Sequence, residues 1–212
     1  MARPRLHDDA LRTRLLEVTS EVISSDGESA VTVRGVAVRA GTSASAVYAL
    51  FGSRDALVAA VSEEGFRRFG ARLAAAAHTD DPLADLRVLG RAYRDGALAN
   101  PHFYRVMFER AVPPGSDAPP AVDRPTFLVL RDAVARVLAL HEAPAAPGAG
   151  PGGRASEDVA LALWSLVHGL VSLELAGLVP GDDAARSDRY DATLAAAGPA
   201  LLTALAARPS GG

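Results

Sequence analysis

Apolar residues along the chain recur every three or four positions, and no stretch keeps the strict alternation of a half-buried strand, so the pattern predicts an all-α protein of about nine helices. Leu11, Leu15, Val18, Val22 and Ile23 form the buried stripe of a first helix over about residues 8–25, opened by acids and stopped at Gly27. A short second helix follows Thr32 as N-cap and stops at Gly41. A third follows Ser43 and ends at Gly52. Ser53 caps a long fourth helix from Arg54 to about residue 77, with Leu57, Val61, Phe69 and Leu73 on one face.

Further along, "TDDPLADL" opens another helix, Asn100-Pro101 breaks it, and "PHFYRVMFERA" restarts it. Residues 112–125 read as loop and 127–141 as amphipathic helix. "APAAPGAGPGGRA" (143–155) reads as a low-complexity linker. Two helices close the chain over about 156–178 and 187–207, the second kinked at Gly198-Pro199. Val159–Leu173 is apolar around its whole circumference, which predicts burial on all sides. Its 15 uncharged residues fall short of the roughly 20 that cross a bilayer.

Composition narrows the chemistry. There is no cysteine, which excludes disulfides and thiolate sites, and the N-terminus has no apolar stretch of a secretory signal, so a soluble, cytoplasmic protein without membrane contact is expected. All 22 basic residues are Arg, a bias that tracks base composition and does not argue for nucleic acid. Charge distribution says more. Residues 1–57 carry seven Arg against seven acids, the rest of the chain is at −3, and 29–54 holds Arg34, Arg39 and Arg54 with no acid. That is a local positive footprint on a mildly acidic protein.

The informative stretch is "TVRGVAVRAGTSASAVYALFGSRDAL". Val33, Val36 and Ala37 bury the second helix, Gly41 permits a tight turn, Ser43 caps the third helix, and Val47 with Leu50 or Phe51 pins it. With Thr32-Val33, Ala37, Ala40-Gly41, Ser43, Tyr48, Phe51, Ser53 and Leu57 at that spacing, residues 11–60 closely resemble the N-terminal domain of TetR-family transcriptional regulators. The resemblance implies a helix-turn-helix head over 1–57 and a helical ligand-binding and dimerisation domain over 58–212.

On that reading the third helix enters the major groove and its surroundings grip phosphates. Thr32 and Ser43 stand at helix starts where hydroxyls and backbone N–H groups meet phosphate oxygens. Tyr48 occupies the family's phosphate-contact position, and Arg54 stands where the family usually has Lys. Arg34 is a further candidate, and Arg3 and Arg5 form an arm for the minor groove. "TSASAVYALF" (42–51) carries no charge. Thr42, Ala44, Ser45, Ala46 and Ala49 make a slim helix, with Ser45 able to bond a base edge and Ala46 or Ala49 to meet a thymine methyl, so DNA shape carries much of the readout. Gly35, inside the second helix, costs about 1 kcal/mol relative to Ala.

The expected partners are a palindromic operator in double-stranded DNA, a second copy of the chain, and a small apolar effector whose binding shifts the fourth helix and releases DNA. The resemblance implies a four-helix dimer bundle from the last two helices, with Leu163, Leu166, Leu170, Leu173, Leu194, Leu201 and Leu205 as its apolar positions. Trp164, His168 and Gly169 echo a C-terminal subtype marked by Trp, His and Gly. An effector pocket is expected at Phe103, Tyr104, Met107, Phe108, Phe127, Trp164 and His168, although an aromatic-plus-Met stripe is more often core packing. No cofactor is implied, and the five His show no metal-ligand spacing. Gly148, Gly150 and Gly153 satisfy G-x-G-x-x-G but follow no strand. The competing classes are an all-α scaffold, or a small-molecule-binding protein or enzyme using His168 with a carboxylate such as Glu174.

Overall fold

The apolar stripes fold as helices in the computed structural model, which describes residues 3–76, 78–108, 120–140 and 153–206, with side chains for 8–76, 78–108, 120, 122–140 and 155–204. Among the described residues the α-helices are α1 (Arg3–Asp26), α2 (Val33–Arg39), α3 (Ala44–Phe51), α4 (Arg54–Ala74), α5 (Pro82–Ala99), α6 (Pro101–Phe108), α7 (Pro125–Ala139), α8 (Gly153–Leu175) and α9 (Asp183–Ala206). Two 3₁₀ turns, Glu28–Ala30 and Ala121–Asp123, accompany them, and no strand occurs among the described residues. Most of the 112–125 loop and of the 143–155 linker, with Gly148 and Gly150, lies outside the described residues.

Several boundaries differ from the periodic reading for local reasons. α1 starts at Arg3 because Pro4 is tolerated in a first turn, so Arg3 and Arg5 stand within the helix and not in an arm before it. α8 ends at Leu175. Gly177 has φ +72°, a left-handed conformation open to glycine, and Leu178 N–H closes back on Leu173 O at 3.0 Å. α9 starts at Asp183 because the Asp182 carboxylate accepts from Ala185 N–H at 2.9 Å. It runs unbroken through Pro199.

The chain forms two compact units, residues 1–68 with 99–116, and 69–98 with 117–212. In the first, Leu15, Leu16 and Val22 of α1 pack with Val33, Val36 and Ala37 of α2, Val47 of α3, and Leu57, Val58 and Val61 of α4. Each fully buried Leu or Val contributes about 1.5–3 kcal/mol. α6 belongs to this unit and packs on α1, with Phe103 and Val106 in the same core. Gly65 on α4 makes that fit possible: a Cβ there would lie 2.9 Å from Met107 Sδ.

In the second unit, Phe127, Val134 and Leu138 of α7 pack with Val159, Ala160 and Leu163 of α8, flanked by Leu201 and Leu202 of α9. Arg94 of α5 is buried and holds the buried Glu174 of α8 through Nε (2.8 Å) and Nη2 (2.6 Å). Its Nη2 also reaches Asp183 at 3.2 Å. Tyr190 of α9 donates to Gly90 O at 2.7 Å, and burial raises its phenol above the usual range. By length and composition α8 is apolar enough to cross a membrane; its packing on α7 and α9 and its ion pair to α5 make it a layer of a helical domain.

Candidate nucleic-acid interface and effector region

Thr32 and Ser43 cap α2 and α3 as their spacing requires. Thr32 Oγ1 accepts from Gly35 N–H at 3.1 Å, and Ser43 Oγ accepts from Ala46 N–H at 3.2 Å. Between the helices Gly41 turns the chain with φ +66°, and Thr42 N–H returns to Ala37 O at 2.9 Å. α3 ends where Gly52 N–H bonds Tyr48 O at 2.8 Å. Val47 is the buried pin of α3. Leu50 and Phe51 are half-buried against the same core, and Arg12 of α1 stacks over the Phe51 ring at 4.9 Å.

This packing leaves one side of α3 free. Ser45, Tyr48 (53% exposed) and Ala49 face solvent, and Thr42, Ala44 and Ala46 are half-buried. Ser43 and Ser45 are both exposed, and their hydroxyls share a hydrogen bond at 2.8 Å. On α2, Arg34 is exposed, as is Val38 at 74%, an apolar surface residue that periodicity did not single out.

Arg54, with its side chain 35% exposed, is engaged with neighbouring groups of the protein. Its Nε donates to Val31 O at 2.9 Å, its Nη2 to Glu28 O, and its Nη1 to the Asp55 carboxylate at 2.9 Å. The guanidinium therefore ties the start of α4 to the connection between α1 and α2. A partner 23 residues away in sequence is not legible from helical spacing. Arg3 and Arg5 are described as backbone only.

The residues expected to line an effector pocket divide between the two units. Phe103, Tyr104, Met107 and Phe108 lie on α6 in the first. Phe103 sits in its core under the Arg68 guanidinium at 4.6 Å, and Phe108 packs edge-on to Phe66 at 5.8 Å and against Tyr104 at 4.8 Å. Phe127, Trp164 and His168 lie in the second. There Trp164 Nε1 donates to Tyr93 Oη at 3.2 Å, and Tyr93 Oη lies 3.1 Å from His168 Nδ1. An indole N–H only donates, so the phenol oxygen accepts from Trp164, and the same oxygen lies within hydrogen-bond reach of His168 Nδ1. Phe127 meets Trp164 edge-on at 5.9 Å, and Phe69 meets Tyr93 at 4.9 Å.

Tyr93 was not anticipated. The one available signal was the pair Trp164 and His168, four apart on one apolar face, whose polar tips require a shared partner. Glu174, weighed as a carboxylate for His168, is held by Arg94 instead. Among the described residues no group of three or more His, Asp or Glu is placed to hold a metal ion.

The expected dimer positions also separate. Leu163 is buried in its own protomer's core, Leu201 packs beside that core, and Leu194 fills the space above Gly90, where a Cβ would come within 2.9 Å. Leu166 and Leu170 are half-buried and Leu173 is 49% exposed, while the side chain of Leu205 lies outside the described residues.

Comparison with known proteins agrees with this layout. Residues 15–61 match the model for bacterial regulatory proteins of the tetR family, and residues 86–197 match that for a tetracyclin repressor-like C-terminal domain. No curated protein matches the sequence. Among solved structures, the regulatory protein SCO4313 is 29% identical, with 97% of this chain and 98% of that chain covered and a TM-score of 0.63. A protein of unknown function from Rhodococcus sp. RHA1 is 25% identical over 92% of this chain and 95% of its own, with a TM-score of 0.64. A TetR-like transcriptional regulator from the same organism shares the fold at 20% identity, covering 90% and 96%, with a TM-score of 0.62.

Proposed function

The chain belongs to the TetR family of bacterial transcriptional regulators, and from that premise we propose that it binds a palindromic operator as a homodimer and is released by a small, mostly apolar effector. It acts in the cytoplasm as a repressor. α3 enters the major groove with Thr42, Ala44, Ser45 and Ala46 toward the bases. Thr32, Arg34 and Tyr48 meet phosphates, Ser43 does so through its backbone N–H, and Arg3 and Arg5 approach the DNA from the first turn of α1. Arg54 serves this surface by holding α4 to the segment before α2. Leu166, Leu170 and Leu173 on α8 form the dimer contact.

The observation that carries the reading is the capped pair α2 and α3. Ser43, Ser45, Tyr48 and Ala49 are exposed along one side of this pair with Arg34, while Val33, Val36, Ala37 and Val47 are buried against the core. The effector meets the wall of Tyr93, Phe127, Trp164 and His168, which combines flat apolar surface with a fixed polar edge. Its binding shifts the population between two dimer geometries, and the separation of the heads changes with it.

Selection of the full chain on randomised duplex DNA at moderate salt is the direct test. The expected result is one palindrome, bound with an affinity that falls steeply as salt rises and that weakens in Tyr48→Ala. Enrichment of no sequence would reject the proposal.

A further inference from the structure

We infer that Ser43 sets the hydrogen-bond polarity of Ser45, making Ser45 a donor that reads an acceptor on one base edge. The inference rests on α3 entering the major groove and names what one of its residues reads there. Ser43 Oγ already accepts Ala46 N–H at 3.2 Å as the N-cap, and its hydroxyl lies 2.8 Å from that of Ser45. Each hydroxyl has one hydrogen, so the pair uses one between them and presents the other outward.

The chain Ala46 N–H to Ser43 O–H to Ser45 O–H lets every group accept before it donates, and such chains polarise in the strengthening sense. In the reverse order Ser43 accepts twice and Ser45 donates with nothing donated to it. The first order is therefore favoured, and the free hydrogen is that of Ser45. Among the described residues, Ser43 is the one group bonded to the Ser45 hydroxyl. Ser45 is exposed, one residue into α3.

In the major groove a lone donor finds N7 or O6 of guanine, N7 of adenine or O4 of thymine, whereas cytosine presents only an amino donor. One position in each operator half-site should exclude cytosine on the contacted strand, by about two- to tenfold for a single hydroxyl contact. The design needs no charge, which answers how an uncharged helix discriminates.

The polarity can be reversed without removing the cap. Asn at position 43 caps through its carbonyl and donates through its amide, preserving the order. Asp caps equally well but has no hydrogen, so Ser45 must donate inward and show only lone pairs to the base. The experiment is selection on randomised duplex DNA by the full-length wild type, Ser45→Ala, Ser43→Asn and Ser43→Asp, each checked for native unfolding temperature.

The expected result is loss of the preference at a single position in Ser45→Ala, its retention in Ser43→Asn, and a change toward cytosine or adenine in Ser43→Asp. Asp weakens overall affinity by its charge, but charge alone moves no base preference. A wild type that selects a palindrome while Ser45→Ala selects the same one at every position overturns this inference and leaves the regulator intact. So does Ser43→Asp with wild-type base preferences. A wild type that selects nothing overturns the regulator reading itself, and the inference with it.

Discussion

Arg54 Nε donates to the backbone carbonyl of Val31 at 2.9 Å, across the gap between the start of α4 and the segment that leads into α2. Val31 is buried, so removing the side chain leaves its carbonyl without this donor, while Glu28 O loses one bond but keeps the Val31 N–H at 3.1 Å. Arg54→Ala should destabilise the protein by about 2–4 kcal/mol in urea unfolding, as hydrogen bonds from a charged donor are lost. Arg54→Lys should lose about half as much, since an ammonium keeps the charge without the fork. Unchanged stability in Arg54→Ala with a reduced salt slope of DNA binding would return Arg54 to a phosphate contact.

Thr32 and Gly35 are coupled. A Cβ at Gly35 would lie 2.8 Å from Thr32 Oγ1, the atom that accepts the Gly35 N–H. Gly35→Ala gains about 1 kcal/mol of helix propensity but displaces a cap worth a similar amount, so it should be near neutral. In a Thr32→Ala background the same change should stabilise by about 1 kcal/mol. A double-mutant cycle in thermal unfolding measures the difference, and additivity would show the two sites independent.

Glu64 makes stability depend on acid pH. Hydrogen bonds from Arg67, and then from Arg68, hold its carboxyl down from 4.5 to about 2. A carboxyl depressed in the folded state adds stability that is complete above its unfolded value and is lost as pH falls from 4.5 through 2. The effect is small because Arg67 is exposed to screening solvent. Thermal unfolding of wild type and Glu64→Gln should differ at neutral pH and converge toward pH 2; curves that stay parallel would contradict it.

Arg94 and Glu174 are both buried, and each depends on the other. Arg94→Ala should cost about 3–5 kcal/mol, since an uncompensated carboxylate remains inside. Arg94→Met combined with Glu174→Leu should recover most of that loss, because the pair is expensive to desolvate. Urea unfolding of the two variants separates these outcomes.

Tyr93→Phe removes the acceptor of Trp164 Nε1 and the hydrogen-bond partner of His168 Nδ1 together. A loss of about 1–2 kcal/mol is expected. Trp164 is the single tryptophan, so its fluorescence reports the site directly, and its emission should move to shorter wavelength. A spectrum identical to wild type would show that the indole does not bond Tyr93.

What was legible along the chain and what was not follow the range of the interactions. Caps at Thr32, Ser43 and Ser53, the turn at Gly41 and the stops at Gly27 and Gly52 were readable because each partner lies within a few residues. The same holds for the buried stripes of α1 and α4, which a 3.6-residue period announces. Local reading misplaced the ends of α1, α8 and α9, where Pro4, Gly177 and Asp182 decide the boundary.

The sequence by itself determined an all-helical chain with a helix-turn-helix head, because helix periods, caps and tight turns are local physics. Only the tertiary structure decided that Arg54 is a strut between backbone carbonyls, that α6 lies with the head, and that Tyr93 joins Trp164 to His168. Those facts rest on partners 23 to 75 residues apart, and a hydrogen bond or a packed ring carries no mark in the sequence of which distant group will complete it.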